Sequence, residues 1–290
     1  MKLRIIILSV LFGTLLWAEN VRTERHNIPL KDEEELDVNI GFGLGELELR
    51  SHDVDGYLLR SEMTYSHSYY KPNVEYKTLG NRGRLRMFTE KFDKYTIVGD
   101  RERKISREDR DQNRWRLEFT RKIPIYYSID LGLGEGRLDF TDLRVRDLKL
   151  QCGLSDVTVL FEKDNKEILR SLNVGTGLGN VDVKGLGFAN IERFNVECGL
   201  GSTELVFNGG IQQDIRGKVE VGLGSVNIKV PDDIAVEVRS ESSFLSSLNL
   251  HGFDRISNNL YRSGNWKSAK KRIYMDIEIG LGSVDISWLD

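Results

Sequence analysis

Gly-Leu-Gly recurs along this chain, and glycine strings of that kind are where many proteins cradle a phosphate. The copies read GLGELEL from Gly43, GLGEGRLDF from Gly132 and GLSDVTV from Gly153, where a serine replaces the second glycine. They continue as GLGNVDV from Gly177, GLGSTELVF from Gly199, GLGSVNI from Gly222 and GLGSVDI from Gly280. A dinucleotide site needs a strand, a glycine turn and then a helix whose N-terminus holds the phosphate. Each copy here runs on into an alternating, strand-like pattern, so the context that gives the motif its chemistry is missing. Calcium-binding glycine repeats have a period of about nine residues with Asp in the turn. These turns carry Leu and recur at about 22 residues, so no cofactor or metal ion is expected at them.

Carboxylates are the next candidates. Asp232-Asp233 is the one adjacent Asp pair, and it follows Pro231, where Asp is an ordinary turn residue. The chain has no Gly-x-Ser-x-Gly elbow and no His-Glu-x-x-His. No catalytic residue is assigned, and the reading is a protein that is not an enzyme. Two sets of residues could bind rather than react. The outward positions after each glycine corner form a ladder of Glu48, Thr158, Asp182, Glu204, Asn227, Asn249 and Asp285. Neighbouring Asp182 and Glu204 could hold a cation or a sugar hydroxyl, or simply face water. Tyr65, His67 and Tyr69 alternate, so on a strand these three share one face, with Tyr70 beside them. Such a row stacks on sugar rings or on a partner if exposed, or packs against the body of the protein if not.

Balance excludes other classes. With 42 Lys+Arg against 45 Asp+Glu the net charge is -3, which leaves no uniform basic surface for nucleic acid. Two Cys and four His make neither a disulfide framework nor a His-rich metal site. Lys2 and Arg4, the apolar run Ile5 to Trp17 and then Ala18 have the three-part pattern of a secretory signal peptide over residues 1–18. No second apolar run of that length follows, so the expected mature chain, residues 19–290, has no transmembrane segment and is periplasmic or secreted.

The elements that position these residues follow from self-similarity. From Gly132 onward the copies, with FLSSLNL from Phe244 filling a gap, start 21, 24, 22, 23, 22 and 36 residues apart. Each corner is preceded by another alternating run, such as Lys218 to Val221 or Asp276 to Ile279. Period-two alternation predicts strands, and no helical stripe competes with it. The predicted architecture is an all-β, single-stranded β-solenoid with rungs of about 22 residues, glycines supplying backbone angles forbidden to other residues. Stacked rungs would align Val181, Val226, Leu248 and Val284 in one inward column and Val183, Ile228, Leu250 and Ile286 in another. Of 28 Gly, 20 lie after residue 122, so residues 123–290 are read as the repeat. Residues 28–122 are read as opening strands and a cap of the same domain. Strands are expected at Glu35 to Ile40, Tyr57 to Tyr65, Val74 to Leu79, Arg84 to Phe88 and around Trp115, Leu117 and Phe119. A charged loop is expected over 99–114. Cys152 and Cys198 hold equivalent places two rungs apart, too far for a disulfide.

Three stretches carry a resemblance to a known family. They are LDVNIGFGLGELELR (Leu36 to Arg50) with NVEYKTLGNRGRLRM (Asn73 to Met87), then IPIYYSIDLGLGEGRLDFTDLRVRDLKLQCGLSDVTV (Ile123 to Val159), then VPDDIAVEVRS with YMDIEIGLGSVDI (Val230 to Ser240, Tyr274 to Ile286). The chain resembles the toast-rack family of bacterial cell-envelope proteins, which includes adhesin-like domains and the extracytoplasmic domain of LiaF-like stress regulators. The resemblance implies a β-helix-like rack and an envelope role, binding a surface polymer or protein, and supplies no catalytic residue. The alternatives it leaves are a secreted carbohydrate-active enzyme on a β-helix and an accessory to an envelope-stress two-component system. The multi-span membrane region of LiaF-like regulators has no counterpart here.

Overall fold

The computed structural model describes residues 21–66, 70–91, 113–242 and 246–289. The expected signal peptide, His67, Tyr69 and nearly all of the charged loop lie outside them. Among the described residues there is no helix, and the chain is a single large sheet system of 20 strands.

The first six strands are β1 (Val21–Pro29), β2 (Glu35–His52), β3 (Tyr57–Ser66), β4 (Tyr70–Leu79), β5 (Arg82–Lys91) and β6 (Arg114–Thr120). Two long strands follow, β7 (Pro124–Asp139) and β8 (Arg144–Leu160). Then come β9 (Ser171–Thr176), β10 (Asn180–Lys184), β11 (Arg193–Cys198), β12 (Ser202–Val206), β13 (Ile215–Val221) and β14 (Ser225–Val230). The last six are β15 (Ala235–Ser242), β16 (Ser247–Leu250), β17 (Phe253–Arg255), β18 (Leu260–Ser263), β19 (Arg272–Ile279) and β20 (Ser283–Trp288). All the strands expected before residue 122 are present. The strand β1 is an addition that alternation alone did not single out.

Each Gly-Leu-Gly joins two arms. The arm before it pairs in parallel through β2, β7, β8, β9, β11, β13 and β19. The arm after it pairs in parallel through the second halves of β2, β7 and β8, then β10, β12, β14 and β20. Register is unbroken on the second arm: Val157, Val181, Thr203 and Val226 are successive partners, at offsets of 24, 22 and 23 residues. The inward members, with Val183, Ile228, Val284 and Ile286, are buried. Aromatic contacts close the space between the arms, as where Phe119 meets Tyr127 edge-on with ring centroids 5.4 Å apart. Each buried aliphatic contributes roughly 1.5–3 kcal/mol, and the column rather than the single rung accumulates it.

Two expectations are corrected. The first concerns order in the stack. The copy at Phe244 was expected between those at Gly222 and Gly280. Instead β20 lies against β14, and β16 lies outside β20, so Val284 pairs with both Val226 and Leu248. Likewise β19 lies between β13 and β15. The 36-residue step holds the antiparallel pair β17–β18, which lets the chain turn back and fill the place it had left. Leu248 and Leu250 therefore sit on the last strand of their arm and are only half-buried.

The second concerns the glycines. Only Gly45 and Gly134 among the corner glycines have positive φ, at 121° and 128°. Others are demanded by proximity: a Cβ on Gly201, Gly224 or Gly282 would lie 2.1–2.3 Å from the carbonyl oxygen of the corner below. At these three positions the stacked backbones leave no room for a side chain.

Candidate outward ladder and cleft

Alternation sends every second residue of the second arm outward, and parallel register then lines those residues up. Glu48 pairs with Arg137, Arg137 with Thr158, Thr158 with Asp182, and Asp182 with Glu204. The ladder continues through Asn227 and Asp285 to Asn249. Every ladder residue expected from the sequence is in this row, with Asp182 beside Glu204. Asn227 and Asn249 are separated by Asp285, which follows from the corrected strand order. Arg137 was missed because Gly136 stands where the neighbouring copies have an inward aliphatic, Leu47 and Val157, so this copy lacks the alternation that marks the next residue as outward.

Basic side chains around the row tie the ladder down. Lys229 Nζ lies 2.8 Å from Glu204, Lys184 Nζ 3.8 Å from Asp182, and His251 Nε2 3.1 Å from Asp285. Arg116 Nε donates to Glu48 at 3.1 Å. At such half-exposed positions each pair contributes no more than about 1 kcal/mol, so the array organises the surface more than it stabilises the fold. Near the start of the ladder the surface dips into a shallow cleft of about 410 Å³. Glu46, Glu48, Glu135, Asp156 and Asp182 line it together with Arg137. Sequence reasoning found Glu48 and Asp182 but not Glu135 and Asp156, which stand in the turn column just after the corner. Among the described residues no three His, Cys, Asp or Glu converge as a metal site. The cleft offers spaced acceptors and one guanidinium, a surface suited to hydroxyl groups or to a cationic segment.

Tyr65 does not belong to an exposed row. It is buried in β3, and its hydroxyl hydrogen-bonds the Glu24 carboxylate of β1. Burial first, and that carboxylate second, push its pKa up to about 12, so it stays a neutral donor. His67 and Tyr69 lie outside the described residues. Asp232 and Asp233 stand at the turn before β15, both exposed, as the turn reading required.

Comparison with solved structures finds low-identity relatives of similar length. A candidate cell adhesion protein from Clostridium sporogenes is 19% identical with a TM-score of 0.47, over 93% of this chain and 100% of that one. A candidate adhesin from Bacteroides fragilis is 12% identical with a TM-score of 0.38, over 92% and 96% of the two chains. A candidate lipid binding protein from Parabacteroides distasonis is 12% identical with a TM-score of 0.27, over 94% and 98%. No curated protein matches the chain. Residues 17–184, more than half of the sequence, match the family described as the N-terminal domain of toast_rack, DUF2154. The chain belongs to the toast-rack family.

Proposed function

We propose that this is a non-enzymatic, extracytoplasmic binding protein of the cell envelope that takes a linear, hydroxyl-rich surface polymer along its outward ladder. The observation that carries the reading is the unbroken row from Glu48 to Asn249, with acceptors and donors at one repeating interval. Neighbouring parallel strands are about 4.8 Å apart, so the row repeats at roughly the length of one sugar residue. Carboxylates and amides that accept from hydroxyls, with Arg137 as donor, suit such a chain. The rung offsets near 22 residues support a single-stranded β-solenoid as the scaffold, with 19–290 as its single domain. The apolar start of the sequence supports export, with cleavage after Ala18.

Affinity retention on a panel of immobilised cell-wall polysaccharides tests this. Binding without release of reducing ends is expected, and the double variant Asp182→Asn, Glu204→Gln should elute earlier. Release of sugar fragments would contradict the reading and favour the carbohydrate-active alternative. Retention that is unchanged in the double variant would remove the ladder from it.

A further inference from the structure

Leu44 is buried at the first corner and Leu133 partly covered at the second, but from Gly153 onward the corner leucine is a residue that the fold does not bury. Leu154, Leu178, Leu200, Leu223 and Leu281 are 53%, 55%, 56%, 56% and 54% exposed. They stand one per rung in a single row. The amide of Leu178 donates to Gly153 O of the rung below at 2.9 Å, and those of Leu200, Leu223 and Leu281 to Gly177, Gly199 and Gly222 at 2.8 Å. Stacking is thus secured by backbone, for which any side chain pointing outward would serve. Five aliphatic side chains, each with more than half its surface in water, form a continuous apolar ridge.

The ridge runs between two unlike shoulders. On the side of the first arm lies an open groove of about 840 Å³, into which Glu197, Glu220 and Glu278 project beside the corner glycines. These three are register partners on successive strands, β11, β13 and β19. Lys218 Nζ engages Glu220 and, at 3.1 Å, Glu278, while Glu197 accepts a neutral hydrogen bond from Asn195 Nδ2 at 3.2 Å. On the other side a smaller groove of about 440 Å³ is lined by Ser225, Ser247 and Ser283 and carries no charge.

We propose that this ridge docks an amphipathic helix of a protein partner, one that carries an apolar stripe with Lys or Arg along one flank. Spacing selects a helix. Rungs stack about 4.8 Å apart, so five leucines span about 19 Å. An apolar stripe recurring every 3.5 residues at 1.5 Å rise advances about 5.2 Å per contact, or about 21 Å over the same four steps. Alternate residues of an extended strand advance about 6.7 Å, or about 27 Å, and lose register. Charge selects the flank: the carboxylates of the larger groove disfavour an anionic bilayer surface and favour a basic partner. The surface is separate from the outward ladder and does not depend on a polymer binding there.

A labelled synthetic helix of about 18 residues, with Leu at alternating third and fourth positions and Lys on one flank, is a suitable probe. Titration of the purified protein by fluorescence anisotropy should show that the Leu/Lys peptide binds at least about tenfold more tightly than a Leu/Glu peptide of the same pattern. The double variant Leu200→Ser, Leu223→Ser should weaken binding at least about tenfold, because the apolar contact is lost. Glu220→Gln with Glu278→Gln should weaken it less and flatten its salt dependence. A photo-crosslinkable form of the peptide on the unaltered protein should label the corners at 199–201 and 222–224, which keeps the test valid if the serine variant folds poorly. Equal binding by the serine variant, or labelling elsewhere, would overturn the proposal. So would uptake of phosphatidylcholine vesicles in place of the peptide, or self-association abolished by the serine variant without peptide binding.

Discussion

Cys152 and Cys198 occupy the same place in rungs two apart, with Thr176 as the register partner of both. Both are buried and free. Parallel strands about 4.8 Å apart put their Cα atoms roughly 9.6 Å from each other, beyond the 7 Å or so that a disulfide tolerates. Burial, with a smaller push from Asp130, raises the Cys152 thiol to about 12, and burial raises Cys198 as well. Both thiols should therefore resist iodoacetamide at pH 8 in the folded protein. Two reactive thiols per chain should appear after denaturation without reductant, counted by mass spectrometry. None would mean that the cysteines are bridged.

Val226 and Asn227 are adjacent in β14 but face opposite ways. Val226 is fully buried between Thr203 and Val284, while Asn227 is exposed. Val226→Asp places an unpaired carboxylate in a closed column and should cost about 3 kcal/mol or more. Asn227→Asp should stay within about 1 kcal/mol. Urea midpoints decide it, and equal midpoints would contradict the assignment of inside and outside.

Corner glycines should be intolerant even where their backbone angles are ordinary. A Cβ on Gly224 would stand 2.3 Å from Gly201 O, so Gly224→Ala must push two rungs apart and should cost about 1–3 kcal/mol. At Gly210 the nearest atom is the flexible Gln212 amide nitrogen at 3.7 Å, so Gly210→Ala should be nearly neutral. Thermal melts of the pair separate crowding from a general cost of replacing glycine.

His52, near the end of β2, is buried with neither ring nitrogen hydrogen-bonded. Burial holds its pKa below the usual 6.5, against the opposing pull of the Glu118 carboxylate. The unfolded chain then binds a proton that the folded chain refuses. The stabilisation is full above about pH 7 and is lost as pH falls through 6.5 toward the lower folded value. The melting temperature should drop between pH 7 and 5.5, and His52→Leu should shrink that drop. An identical pH slope in the variant would show that His52 is not its source.

Much of this architecture was legible because one short string repeats. Alternation around Gly222 identified Val226 as inward and Asn227 as outward, and equivalence of corners aligned Cys152 with Cys198. What the spacing could not convey is stacking order. It says that Leu248 and Val284 hold equivalent places, but β20 reaches its position only because the β17–β18 hairpin turns the chain back. Alternation also separates two faces without saying which is covered, so Tyr65 stood open between a binding row and a packed position, and its burial in β3 decides for packing. Glu135 and Asp156 became part of the cleft through register with Glu46 and Asn180, a relation between strands rather than within one.

Parallel stacking with late insertion of β20 is the claim on which ladder, ridge and columns all rest. Paired cysteines test it directly in a background with Cys152→Ala and Cys198→Ala. Asn227→Cys with Asp285→Cys joins register partners and should form a disulfide under mild oxidation, seen by peptide mapping. Asn227→Cys with Asn249→Cys spans two strand spacings, roughly 9.6 Å, and should stay reduced. A disulfide in the second pair and none in the first would contradict the account and restore the simple order of copies along the sequence.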